Sequence, residues 1–541
     1  MLNKRLLLPF VVLYGISCWK SDSPVRDTGG SQYVSVLTQH NNNTRSGLND
    51  KEITLTTANV NQQQFGKLFS LNVDDQVYAQ PLIVADLILS GAKRNVVFIA
   101  TVNNTIYAYD GDNGDLYWQK NYTAAGMRPP KNADMTGACG GNYKDFSGNI
   151  GIVGTPVIDS LANIMYFVTR STDGINYFQY LHAVNIMNGG EMPGSPVKIA
   201  AIYNANGTTN NVIFNSQKQN QRMGLTLLNG IVYISYSSHC DWGPYHGWIL
   251  GYNAATLHQQ VVYNTTPGGS AGGIWESGTG MAADNKGNLY CVVGNGTVGA
   301  NNDPTVLTNR GESALKLTPT ASTLKVSSYF TPWNYTKLDS FDLDYGSLGA
   351  FLIPNSNYYF TGAKDGNIYL LNKDKMGGFS TSANSVQQNI KLSTAGLHCQ
   401  PSYYKGAKNE WVYLWSDKDN LRAYRFNRVS NLLDVSNVVT SPVPGPLGWN
   451  GALLSVSSNG TAEGTGIVWA SYASGGNANQ SVCPGILRAF DANDITKELW
   501  NSSLNTNDYP GNYAKFSSPT IANGHVYLAT FSNQVVVYGL K

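Results

Sequence analysis

Val96-Val97-Phe98-Ile99-Ala100, Ile106-Tyr107-Ala108-Tyr109-Asp110 and Leu116-Tyr117-Trp118 are three short runs of β-branched and aromatic residues, separated by a polar turn and by a Gly-containing turn. Runs of this length are too short for amphipathic helices and read as three antiparallel strands joined by hairpins. The unit recurs. A second copy runs through Thr155-Pro156-Val157-Ile158-Asp159, Met165 to Val168 and Leu181 to Asn185. Further copies centre on Ile231 to Ser235 with Ile249 to Asn253, Leu289 to Val293 with Ala314 to Leu317, and Tyr358 to Thr361 with Ile368 to Leu371. The last three are Trp411 to Trp415 with Leu421 to Tyr424, Ile467 to Ala470 with Leu487 to Asp491 and Trp500, and Val526 to Thr530 with Val535 to Tyr538.

Gln80-Pro81, Thr155-Pro156, Gln400-Pro401 and Ser518-Pro519 open four of these units in register, a position at which a strand tolerates proline. A four-stranded unit cannot bury both faces alone, so eight copies predict radial stacking about an axis. The expected fold is all-β, an eight-bladed β-propeller of four-stranded antiparallel blades. Phe65 to Asn72 has no partner before it and is expected to close the ring as the outer strand of the last blade. Composition agrees: of 541 residues 42% are hydrophobic, 56 are Gly and 33 are Tyr, while 13% are charged, against about 25% in ordinary soluble domains. Trp118, Trp411 and Trp500 read as packing between blades.

Thirty-six Lys and Arg against 34 Asp and Glu leave a formal net charge of +2 with no long run of one sign, which offers nucleic acid no electrostatic footprint. The N-terminus carries another signal. Lys4-Arg5 precede the apolar stretch Leu6 to Tyr14, which is too short to span a bilayer and reads as a secretory leader. Gly15-Ile16-Ser17-Cys18, followed after Trp19 by a polar tail, is similar to a bacterial lipoprotein box. It implies cleavage after residue 17, acylation of Cys18, and an extracytoplasmic protein anchored in the cell envelope by lipid. Plain secretion is the alternative, and sequons such as Asn121-Tyr122-Thr123 and Asn264-Thr265-Thr266 would suit it. Residues 1–17 are thus read as a signal peptide, 18–45 as a solvated tether and 46–541 as the propeller. The other cysteines, at 139, 240, 291, 399 and 483, show no metal-binding spacing and fix no disulfide connectivity; Cys291, within an apolar run, reads as a buried thiol.

The blade running from Ala489-Phe490-Asp491 to Leu499-Trp500, and that from Tyr109-Asp110 to Trp118, resemble the tryptophan-docking repeat of pyrroloquinoline quinone (PQQ) dehydrogenases. Non-catalytic propeller lipoproteins carry similar repeats, so the repeat alone implies fold. More specific matches lie in the middle third. Asp241-Trp242-Gly243 resembles the place where the family supplies a carboxylate to the cofactor-bound metal, with Asp for the family's Glu. Gly272-Gly273-Ile274-Trp275 resembles the segment whose Trp lies under the quinone. Gly294-Asn295-Gly296 resembles the Gly-Asn-Gly whose Asn is a metal ligand. Thr331-Pro332 with Phe341-Asp342-Leu343-Asp344 resembles the family's Thr-Pro and Trp-Asp-x-Asp, and Gly362-Ala363-Lys364 the segment whose basic residue contacts the quinone.

This resemblance implies Asp342 as general base, Trp275 and Lys364 as cofactor contacts, and Asp241, Asn295 and Asp344 as ligands of Ca²⁺ or a lanthanide, ions that take oxygen donors. The substrate would be an alcohol or sugar. Two family marks are missing: no adjacent cysteine pair exists, since Gly140 follows Cys139, and no haem-attachment Cys-x-x-Cys-His occurs. Each residue also has an ordinary reading as turn chemistry or blade packing, Lys364 lying on a turn like that at Lys418-Asp419. Zinc at His239, Cys240 and His246 is disfavoured for want of a closely spaced ligand pair. The competing function is a non-catalytic propeller that binds a glycan or protein partner. Convergence of the six residues at one end of the channel would favour the enzyme, scatter among outer turns the scaffold.

Overall fold

Val96, Phe98 and Ala100 pack toward the second blade, while Val97 and Ile99 pack toward the eighth. This alternation is the local rule from which the fold grows: a middle strand is sandwiched between two neighbouring blades and buries both faces, so it reads as an unbroken apolar run. The computed structural model describes residues 33–204, 211–392 and 396–541. Blade 1 consists of Leu82–Leu89, Ala92–Ala100, Thr105–Asp110 and Leu116–Asn121, antiparallel in that order from the axis outward. Blades 2 to 7 repeat the plan, with innermost strands Val157–Asp159, Thr226–Leu228, Ala282–Ala283, Phe351–Leu352, Ser402–Lys405 and Leu453–Ser457. Thr520–Ala522, His525–Ala529 and Gln534–Leu540 begin blade 8. Phe65–Asn72 completes it, pairing antiparallel with Gln534–Leu540 in a register that sets Leu71 opposite Val535. The ring therefore closes as the sequence predicts.

Eight apolar clusters fill the eight spaces between blades. In blades 1 and 7 a tryptophan on the outer strand docks the blade on the next. The Trp118 indole N–H donates to Ile186 O of blade 2 at 3.0 Å, and Trp500 meets Phe65 of blade 8 edge-on at 5.0 Å. Cys291, Cys399 and Cys483 are buried free thiols. Asn264 is buried as well, so the sequon that begins there is not a surface acceptor.

The signal segment 1–17 and Cys18 lie outside the described residues. The tether expected over 18–45 needs correction at its C-terminal end, because Val36, Gln39, His40 and Arg45 are buried. Residues 36–49 thread the axis and bond to the innermost strand region of every blade in turn. Val36 exchanges two backbone hydrogen bonds with Ile83, and Leu37 O accepts from Ile158 N. Asn43 donates through its side chain to Leu227 O and accepts from Ala283 N. Thr44 O, Ser46 O and Gly47 O accept from Leu352, Tyr403 and Val456 N–H groups, and Asn49 donates to Ile521 O. Most of these bonds use the segment's own backbone, with the Asn43 and Asn49 side chains adding to it, and together they satisfy backbone groups of the inner strands. The described residues include no helix long and apolar enough to cross a membrane.

Candidate functional site

Strands that run outward from the axis and alternate in direction send two kinds of connection to the same end of the ring: the loop between a blade's second and third strands, and the crossover to the next blade. Asp241 lies on the first kind in blade 3, Asn295 in blade 4 and Lys364 in blade 5; Trp275 lies on the crossover into blade 4, and Asp342 and Asp344 on that into blade 5. All six predicted residues thus share one end of the channel.

Four are in direct contact. Lys364 Nζ lies 2.7 Å from Asp342 Oδ1 and 2.5 Å from Asp344 Oδ2. The Asn295 side-chain amide donates to Asp342 Oδ1 at 3.0 Å, and its backbone N–H donates to Asp344 Oδ1 at 2.7 Å. Trp275 joins them across Gly294. A Cβ there would fall 2.6 Å from Asp344 Oδ1 and 2.8 Å from Trp275 Cδ1, so only glycine permits this approach. Asp241 stands at the rim, accepting a hydrogen bond from the Tyr245 hydroxyl at 2.6 Å; its charge acts on Asp344, and those of Asp342 and Lys364 act on it.

Three carboxylates face the Lys364 ammonium, and the charge of Arg222 also acts on Asp344 and Asp241. Burial pushes Asp344 up to about 6, with Lys364 pulling the other way, and burial also raises Asp241. Burial works against the Lys364 ammonium too, but Asp344 and Asp342 outweigh it and hold its pKa above the usual value. Asp342 differs from its partners in being 68% exposed.

The sequence reading missed a second set of residues on the same face. Arg222, from the crossover into blade 3, lies with its guanidinium 5.0 Å from the ring centre of Trp275 and 4.3 Å from that of Phe516. Its Nε finds no partner, and burial pulls its pKa down to about 10. Lys515, beside Phe516, lies over Trp449 at 5.6 Å and is pulled down to about 8 by burial. His398 is kept neutral by burial, its Nδ1 unpartnered. All come from crossovers, so the blade register could have flagged them: they are charged or aromatic side chains at the one connection that faces the axis. Cys139 and Cys240 form a disulfide across this face, joining the crossover out of blade 1 to the residue before Asp241. That bond consumes the Cys240 sulfur, which removes one of the three groups the zinc alternative would need.

Among the described residues no three His, Cys, Asp or Glu side chains form a group that could hold a metal ion by themselves. The donor set nevertheless suits a hard cation completed by an external ligand. Asn295 Oδ1 is buried without a hydrogen-bond partner, next to carboxylates, and such a ligand set is oxygen-only. A planar anionic ligand also finds matching groups, an indole and the cations of Arg222 and Lys515, the latter held by a hydrogen bond to Asn479 O at 2.5 Å. The residues fit both groups.

No protein-family model and no curated protein sequence matches the chain. Solved structures do. A quinohemoprotein alcohol dehydrogenase from Pseudomonas putida HK5 superposes with a TM-score of 0.57 at 13% identity, covering 94% of this chain and 80% of that one. A quinohemoprotein alcohol dehydrogenase from Comamonas testosteroni gives 0.57 at 12% with the same coverages. A europium-containing methanol dehydrogenase gives 0.60 at 10%, covering 94% of this chain and 99% of the other. The chain therefore shares the eight-bladed propeller fold of quinoprotein alcohol and methanol dehydrogenases.

Proposed function

We propose that the protein is an exported quinoprotein-type dehydrogenase that oxidises an alcohol or sugar with PQQ and Ca²⁺ or a lanthanide. The observation that carries this reading is the convergence of Asp342, Asp344, Asn295 and Lys364 into one bonded group beside Trp275. Asp241, Asn295 Oδ1 and Asp344 would hold the cation, Trp275 would stack on the quinone, and Arg222 and Lys515 would face its carboxylates. When bound, the quinone supplies the acceptor for the hydride leaving the substrate carbon. The exposed Asp342 carboxylate takes the proton of the substrate hydroxyl, while Lys364 fixes that carboxylate and faces the negative charge that develops on reduction. The axial segment closes the channel beneath, so substrate enters from the loop face.

The reading extends to location, with the leader exporting the chain and Cys18 anchoring it by lipid; Cys18→Ser should then move the protein from a membrane fraction to a soluble one. For the activity, the purified protein should bind PQQ in the presence of Ca²⁺ or La³⁺ and reduce an artificial dye with some alcohol or sugar. Asp342→Ala should abolish turnover and leave quinone affinity nearly unchanged, because a general base acts in the chemical step. Trp275→Ala should weaken quinone binding itself. Failure of the wild-type protein to bind PQQ with either ion sinks the dehydrogenase reading and leaves a propeller that binds a glycan or protein partner.

A further inference from the structure

We infer that Gln39 and Arg45 of the axial segment are positioning residues for Trp275. The indole precedes three consecutive residues in the left-handed region, Glu276 (φ 38°), Ser277 (φ 49°) and Gly278 (φ 81°). Glycine adopts this conformation freely. For Glu276 and Ser277 it is strained, and it persists only where the surroundings over-determine the backbone.

Those surroundings are visible on every side. Val292 N donates to the buried Glu276 carboxyl at 2.8 Å. Ser277 Oγ donates to Ser347 O at 2.7 Å, and Gln400 Nε2 donates to Ser277 O at 2.7 Å. The axial segment holds the chain two and three residues past the stretch. Gln39 Oε1 accepts from Gly280 N at 3.2 Å, and Arg45 Nε donates to Met281 O at 3.1 Å. The other Arg45 donors reach Thr38 Oγ1 and Gln39 O through Nη1, and Leu225 O and Thr226 Oγ1 through Nη2, at 2.7–3.1 Å. Every N–H of the guanidinium is thus used, in a fork that a lysine cannot reproduce. No slack separates the layers: a Cβ on Gly280 would meet Arg45 Nη2 at 2.6 Å, and one on Gly224 would meet Gln39 Cβ at 2.5 Å. A segment that merely filled the channel would need neither contact. Releasing either one lets the strained stretch relax toward right-handed backbone, and Trp275 turns with it.

The test is fluorine NMR of the full chain labelled with 5-fluorotryptophan, the Trp275 resonance being assigned with Trp275→Phe. Gln39→Met keeps the volume and removes the acceptor; Arg45→Lys keeps the charge and removes the fork. In both, the Trp275 line should shift or broaden while the lines of Trp469 and Trp500, between blades 7 and 8, stay in place. Should either variant fail to fold, the other decides, together with Gln39→Glu, which keeps an acceptor oxygen and should leave the Trp275 line near its wild-type position. A Trp275 line that does not move in Gln39→Met or Arg45→Lys, with lowered melting temperature alone, would overturn the inference and leave these residues a purely structural role. On the quinone reading, Gln39→Met should also weaken PQQ binding about tenfold, since small displacements of a stacking surface are costly. The NMR result needs no ligand, so failure of PQQ binding would sink the functional reading without touching this inference.

Discussion

Arg222 covers the ring of Trp275, with its guanidinium carbon 5.0 Å from the indole centroid and its Nε unpartnered. A half-buried cation held mainly by aromatic faces, with one 3.4 Å contact to Trp275 O, is poised for an anion that would pair with it. Arg222→Leu should therefore weaken PQQ binding by about 1.5–3 kcal/mol, the range of a charged hydrogen bond, measured by calorimetric titration. Unchanged or tighter binding would mean that the side chain is only a plug over the indole.

Lys364 pairs with two carboxylates at once. Lys364→Met should lower stability by roughly 2 kcal/mol, less than the roughly 3–5 kcal/mol of a fully buried pair because Asp342 is largely exposed. A hard cation offers the remaining oxygens the same compensation. Thermal melts of the variant in EDTA should lie below those of the parent and recover on adding Ca²⁺ or La³⁺. A variant whose melting ignores both ions would count against a cation among Asp241, Asn295 and Asp344.

The Cys139–Cys240 bridge closes a sequence separation of 101 residues. Loop entropy alone gives such a crosslink about 4–5 kcal/mol through the unfolded chain. Cys139→Ser/Cys240→Ser should melt well below the parent, and reductant should lower the parent toward it without moving the variant. Equal melting of oxidised parent and double variant would show that blade packing already fixes both loops.

What the sequence discloses and what it hides follow from the range of the interactions. Val96 to Ala100 alternates between two neighbouring cores, and that alternation is local, so strands, blades and closure by Phe65–Asn72 are all readable from apolar runs and turns. Asp342 and Lys364, 22 residues apart, are placed together by motif order, because adjacent blades put equivalent connections side by side. Arg222 and Lys515 are invisible on that basis. Their meeting at the axis depends on connections nearly 300 positions apart, which only the closed ring brings together. The Cys139–Cys240 pairing is hidden for the same reason. Residues 36–45 mislead for another: Asn, Gln and Thr are as apt for solvent as for inner strands whose backbone needs partners, and composition cannot separate the two.

Asp417, on the loop between the second and third strands of blade 6, supplies a test at a distance from the bonded group. Burial pushes its carboxyl up to about 6, and its Oδ1 has no hydrogen-bond partner. Between the ordinary carboxylate value of 3.8 and about 6, the folded state then binds more protons than the unfolded state. The stability contribution of this group is thus full below the ordinary value, falls as pH rises through that window, and is lost above about 6. Asp417→Asn keeps the shape and removes the ionisation. The variant should melt above the parent at pH 7, by an amount that shrinks through pH 5 and vanishes near pH 4. Paired melting curves from pH 4 to 8 measure that difference directly. A variant that melts below the parent at pH 7, or by a margin independent of pH, would show that the ionised carboxylate is stabilised by a partner at the axis rather than stranded there.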